Sequence, residues 1–169
     1  MKNKDFFALA SILFKSRMNV KKVKSLLLNP EQTKLEEAYR IQDELFKLFL
    51  TLNNNKCIGK KVGCTNKEAQ EQVGIHEPFY GNLFSKFSNT NKSKLNSINF
   101  SNPYIEPEIA FLIKNDLDIS KAPFTIKDST NLFEAIICSI EIVDFRFLKP
   151  INKIGIENLI ATNGASDYW

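Results

Sequence analysis

Two glutamates two residues apart, Glu106 and Glu108, interrupt the apolar run at residues 104–111, YIEPEIAF. On a β-strand, residues i and i+2 face the same side. Such a strand would bury Ile105, Pro107, Ile109, Phe111 and Ile113 and present both carboxylates on its other face. Neighbouring carboxylates repel, and they persist where water or a hard divalent cation with oxygen ligands screens them. An exposed edge strand, with Pro107 leaving its edge unpaired, gives the same pattern. A third carboxylate, Glu141, lies in a second β-rich run at residues 136–147, IICSIEIVDFRF. Three carboxylate ligands leave room on an octahedral Mg²⁺ or Mn²⁺ for water and a chelating substrate. Lys61 stands between Gly59 and Gly63, where the backbone approaches closely. A lysine so placed can hold an anionic substrate or a developing enolate; a solvated strand lysine is the plain alternative. Asp144 and Arg146 pair with each other or contact substrate.

The elements that must position these groups follow from periodicity. Residues 5–28 suggest one or two helices with a break near 18–20. The apolar stretch 6–14 (FFALASILF) runs into Lys15–Arg17 without a small-residue cleavage site, and it is too short to span a membrane. Asn29 as N-cap, Pro30 in the first turn and Gln32 as capping-box partner open the next helix. Leu35, Ala38, Ile41, Leu45, Leu48 and Leu52 then recur at helical spacing. Residues 57–63 form a short strand candidate. Asn66 caps a helix over 67–73 that Gly74 stops. Residues 76–81 are expected as a loop and 85–102 as an irregular connection. A helix candidate at 127–135, with Thr125 or Asp128 near its start, separates the carboxylate-bearing strands, so the two can be neighbours in one sheet. A turn at 149–153, a short helix at 156–161 and a loop at 162–169 complete the chain.

The chain's 169 residues suffice for one packed core, and 43% hydrophobic with 25% charged residues suits a soluble globular protein. A net charge of +4 without a basic block interleaved with aromatics gives no case for nucleic acid. Cys57, Cys64 and Cys138 have no C-x-x-C spacing, which suits free thiols in a reducing cytoplasm.

Six motifs stand in order: EAYRIQDEL (37–45), GKKVGCTN (59–66), QEQVGIHEPFYGNLF (70–84), IEPEIAF (105–111), IEIVDFRF (140–147) and NGAS (163–166). By these the chain resembles the 2-keto-4-pentenoate hydratase / 4-oxalocrotonate decarboxylase family of the fumarylacetoacetate hydrolase superfamily. The resemblance implies an α+β chain: an N-terminal helical region (1–55), then a partial fumarylacetoacetate-hydrolase-like β-rich catalytic core (56–169). It implies Glu106, Glu108 and Glu141 as ligands of Mg²⁺ or Mn²⁺, Lys61 and His76 as catalytic groups, and Gln72, Asn163 and Ser166 as substrate contacts. The implied reaction is hydration of a 2-hydroxydienoic or 2-oxo acid such as 2-hydroxypenta-2,4-dienoate to a 4-hydroxy-2-oxo acid. A 4-oxalocrotonate-type decarboxylase is the alternative, and so is a non-catalytic homologue. The expected setting is cytoplasmic, as a homo-oligomer, with no nucleic acid or membrane partner.

Three departures from the family pattern are visible. His76 stands where the family usually has Asp, and an imidazole can take over proton transfer there. Thr162 precedes Asn163 where the family has an acidic residue. Family members also continue beyond Trp169 with further strands. Without these, unpaired edges and exposed apolar surface are expected, either in a fragment or in a shortened member that pairs with itself or a partner.

Overall fold

The structure, a computed structural model, describes residues 3–24, 28–29 and 32–169. Helices α1 (Asn3–Met18) and α2 (Leu35–Leu50) pack on each other, and α2 also packs on the short helix α5 (Ile156–Ala161). The core stripe of α2 is Ala38, Ile41, Leu45 and Phe49, at steps of three and four. It meets Phe6, Ala10 and Leu13 of α1 and Leu159 and Ile160 of α5 in one cluster. Burying each large side chain contributes roughly 1.5–3 kcal/mol. Within this apolar layer, Gln42 is buried because its amide donates to the Tyr80 and Ile160 carbonyls, at 3.0 and 2.9 Å.

Strand β1 (Cys57–Gly63) pairs antiparallel with β2 (Phe79–Phe84). Between them, α3 (Lys67–Val73) has the expected ends. The Asn66 side chain accepts from the Ala69 N–H at 2.8 Å, and Gly74 closes the helix at φ +74°. The second sheet has the order β3–β4–β5 and is antiparallel throughout. Its strands are β3 (Pro103–Ile113), β4 (Phe133–Asp144) and β5 (Ser166–Tyr168), and a single-turn helix α4 (Ile126–Ser129) lies between the first two. The carboxylate-bearing strands are thus direct neighbours.

Several expectations change. Helix α1 ends at Met18, where Val20 takes a positive φ of 52°, and residues 19–24 carry no second helix. Asn29 caps a turn through its carbonyl, Pro30 lies outside the described residues, and α2 begins only at Leu35 after Lys34, without a side-chain cap. The 127–135 helix shrinks to one turn, fixed by a capping box between Thr125 and Asp128, because the β-branched residues beyond extend into β4. β2 begins inside the expected 76–81 loop, and β5 forms inside the expected C-terminal loop. Residues 85–102 are irregular, as expected, apart from two single 3₁₀ turns.

The largest correction concerns the odd face of β3. Ile105 and Ile109 are 69% and 65% exposed, and Phe111 and Ile113 are exposed as well. On the same face of β4, Ile136, Cys138 and Ile140, opposite Phe111, Ile109 and Pro107, are exposed too, so the run at 136–147 is buried only near its end. β3 and β4 pack chiefly on each other, and no other described element lies over this face. Alternation placed the residues on faces correctly, but burial requires a second layer. Among the described residues, no helix is long and apolar enough to cross a membrane.

Candidate metal centre

In the β3–β4 ladder Glu106 lies directly opposite Glu141, and Glu108 lies opposite Ser139. Paired residues of an antiparallel ladder point to one face, so the three glutamates converge. One carboxylate oxygen from each lies within 4.8 Å of the others. Glu141 is buried, Glu108 half-buried and Glu106 exposed, so the cluster opens to solvent at one side.

Lys61 approaches from the other sheet. It is the buried residue of β1, while Ile58 and Val62 of that strand are exposed. Its Nζ donates to Glu141 Oε1 at 2.7 Å and to the Gly164 carbonyl at 3.3 Å. Opposite Lys61 in the ladder is Gly81, and a Cβ there would stand 2.9 Å from the Asn163 carbonyl oxygen and 3.1 Å from Lys61 Cγ. Gly81 therefore leaves the space in which the lysine and the 162–166 turn meet β2. A buried ion pair of this kind is costly to break from one side, by about 3–5 kcal/mol.

The donor set fits a hard divalent cation. Three carboxylates face one ammonium, which leaves two negative charges unbalanced. Burial, and then the charge of Glu141, raise the carboxyls of Glu106 and Glu108 above the ordinary glutamate range; Lys61 opposes the shift. Ser139 Oγ, in register with Glu108 on the same face, is buried with no hydrogen-bond partner among the described residues. Carboxylate and hydroxyl oxygens are the ligands that Mg²⁺ and Mn²⁺ prefer.

The other sequence candidates are dispersed. His76 is exposed and lines a separate pocket of about 350 Å³ with Tyr39, Glu77, Phe79 and Glu157. That pocket shares Phe79 with the lysine, whose Nζ sits 5.9 Å from the ring centre. Gln72 is exposed on α3. Asn163 and Ser166 are buried. The Asn163 amide is bonded to the backbone of Asn82, and Ser166 Oγ accepts from Trp169 Nε1 at 2.8 Å. Asp144 and Arg146 do pair, at 2.8 Å, and Asp167 joins them.

The sequence reading did not single out Ser139, Gly81, Gly164, Arg17 or Asp167. Register would have put Ser139 beside Glu108, but register is not visible before strands are paired. Arg17 and Asp167 meet across 150 residues and carry no local signal.

No protein-family model matches the sequence. Among curated relatives, a TodF product hydratase of Pseudomonas putida is 31% identical over 138 residues, 82% of this chain and 50% of that protein. A 2-hydroxyhexa-2,4-dienoate hydratase of Comamonas testosteroni is 32% identical over 81% of this chain and 50% of its own length. The chain thus spans about half the length of the curated relatives it matches. Its fold superposes on 4-oxalocrotonate decarboxylase from Pseudomonas putida G7, solved with magnesium and adipate, at a TM-score of 0.89 and 23% identity. That match covers 99% of this chain and 62% of the other. A second structure of that decarboxylase, with calcium and acetate, gives 0.85. The chain is thus similar to 2-hydroxydienoate hydratases over about half their length, and it shares the fold of 4-oxalocrotonate decarboxylase.

Proposed function

We propose that the chain carries the metal-and-lysine site of a hydro-lyase. Its substrate would be a 2-hydroxydienoic or 2-oxo acid such as 2-hydroxypenta-2,4-dienoate, and its product a 4-hydroxy-2-oxo acid. The observation that carries this reading is the carboxylate triad with two unbalanced negative charges and a buried lysine at its inner edge. Glu106, Glu108 and Glu141 would hold Mg²⁺ or Mn²⁺, which when bound supplies a Lewis acid for the substrate's carboxylate and 2-oxygen.

The remaining work falls to the chain's own groups. The Lys61 ammonium, fixed by Glu141 and Gly164, favours negative charge at the 2-oxygen as its proton leaves. That charge drives protonation of the far carbon of the diene. Water then adds across the enone: its oxygen goes to C4 and its hydrogen to C3, so one water is consumed overall. His76 and the neighbouring pocket are the proposed route for protons and for the substrate's tail, with Gln72 and Ser166 as proposed polar contacts of the substrate. Because the fold neighbour is a decarboxylase, the second reading is loss of CO₂ from an oxalocrotonate-type dicarboxylate through the same stabilised anion.

The test is Glu106→Gln in the Mg²⁺-loaded chain, with the dienoate and the dicarboxylate as rival substrates. The expected result is loss of metal-induced stabilisation together with loss of turnover. Intact turnover in the variant would overturn the assignment.

A further inference from the structure

Three consecutive residues, Asn163, Gly164 and Ala165, have positive φ angles of 63°, 68° and 55°. Left-handed geometry costs an L-residue roughly 1–2 kcal/mol and is normally adopted singly. Only one of these three is glycine, so the surrounding structure must hold the turn. The hold is visible. Asn163 Oδ1 accepts from the Asn82 N–H at 2.6 Å, and Asn163 Nδ2 donates to the Asn82 carbonyl at 2.9 Å. One side-chain amide thus clasps both polar groups of a single β2 residue. The clasp needs Gly81 beside it, since a Cβ there would lie 2.9 Å from the Asn163 carbonyl oxygen and 3.2 Å from its Oδ1.

What the turn presents is chemical. Its middle carbonyl, that of Gly164, accepts from Lys61 Nζ, and its last, that of Ala165, accepts from the Asp144 N–H at 2.9 Å. At Gly164 a Cβ would stand 2.7 Å from the Phe79 ring. The turn, β2 and the lysine are therefore fitted together with no spare room.

We infer that Asn163 is a positioning residue: by clasping Asn82 it holds the left-handed turn whose Gly164 carbonyl fixes the Lys61 ammonium against Glu141. This rests on the hydro-lyase reading only for its effect on rate; the effect on Lys61 stands without it. With both ends of its amide used, Asn163 acts through Lys61 rather than on substrate.

The deciding variant is Asn163→Gly, which keeps the left-handed backbone accessible and deletes the clasp. Gly81→Ala displaces the same turn from the opposite side and serves if Asn163→Gly does not fold. The first readout is hydrogen exchange of the Lys61 side-chain ammonium, followed by ¹⁵N NMR in the metal-free chain. We expect it to speed up about fivefold or more in either variant, the consequence of one lost hydrogen bond. The second readout is steady-state kinetics with Mg²⁺: kcat falls about tenfold or more from misplacement, and KM changes little. Unchanged exchange at Lys61 in a folded variant overturns the inference. A raised KM at constant kcat also overturns it, because it would mean that Asn163 touches substrate. A chain inert in every form would count against the hydro-lyase reading alone, since the exchange measurement still decides the role of Asn163.

Discussion

Strand β4 contributes a buried carboxylate to each of two charge clusters on opposite faces, and they are balanced differently. Asp144 and Glu141 are three residues apart, so they point to opposite sides. On one side Arg17 and Arg146 meet Asp144 and Asp167, two cations against two carboxylates. Asp167 pairs with Arg17 at 2.9 Å and with Arg146 at 3.0 Å, and Asp144 pairs with Arg146 at 2.8 Å. Asp144 also accepts from the Ser101 and Asn102 N–H groups just before β3. The Arg17 guanidinium lies over the Phe87 and Phe49 rings, and burial lowers its pKa to about 10 despite the attraction of Asp167. On the other side one lysine faces three glutamates. The balanced cluster ties α1, β4 and β5 together; the unbalanced one keeps an excess of two negative charges, which a divalent cation would offset.

Three substitutions sharpen this contrast, and the largest effect is expected on the balanced side. Asp167→Ala leaves two buried guanidiniums short of a partner and should cost about 3–5 kcal/mol in urea unfolding, equally with and without Mg²⁺. A loss under about 1 kcal/mol would dissolve the distinction.

On the unbalanced side, the double change Glu106→Gln with Glu108→Gln should leave metal-free stability within about 0.5 kcal/mol, since it removes repulsion rather than a partner. It should also abolish the metal-dependent gain, about 2.7 kcal/mol at a hundred times the dissociation constant. Thermal unfolding with and without Mg²⁺ reads both.

The smallest effect is on pH dependence. In the folded chain Glu106 and Glu108 keep their protons to higher pH than the ordinary 4.5. The stability they contribute is therefore fully present below that value and declines as pH rises through their raised values. In chelator, the unfolding temperature should drop modestly over that range, because both groups keep contact with water. The drop should flatten in the double glutamine variant; a rise would contradict the assigned direction.

Local chemistry made much of this legible. Asn66 and Gly74 bracket α3, and the E-x-E spacing put two carboxylates on one face. What stayed hidden depends on distant partners. Whether Ile105 and Ile109 are buried is decided by a covering layer, not by alternation. Whether Lys61 is solvated or buried is decided by Glu141, 80 residues away. The start of α2 was misplaced because Asn29 and Gln32 mimic a cap that the backbone uses as a turn.

The open edge of β3 has one more consequence. A strand that pairs on one edge only, as β3 does among the described residues, and that exposes isoleucines is a template for strand-to-strand association. Here Pro107 removes a donor from that edge, and Glu106 and Glu108 repel a second copy brought alongside. The carboxylates proposed to hold the cation thus also guard solubility. Neutralising them, by cation or by Gln substitution, relaxes that guard, so metal titrations of this chain are best followed by light scattering as well as by stability.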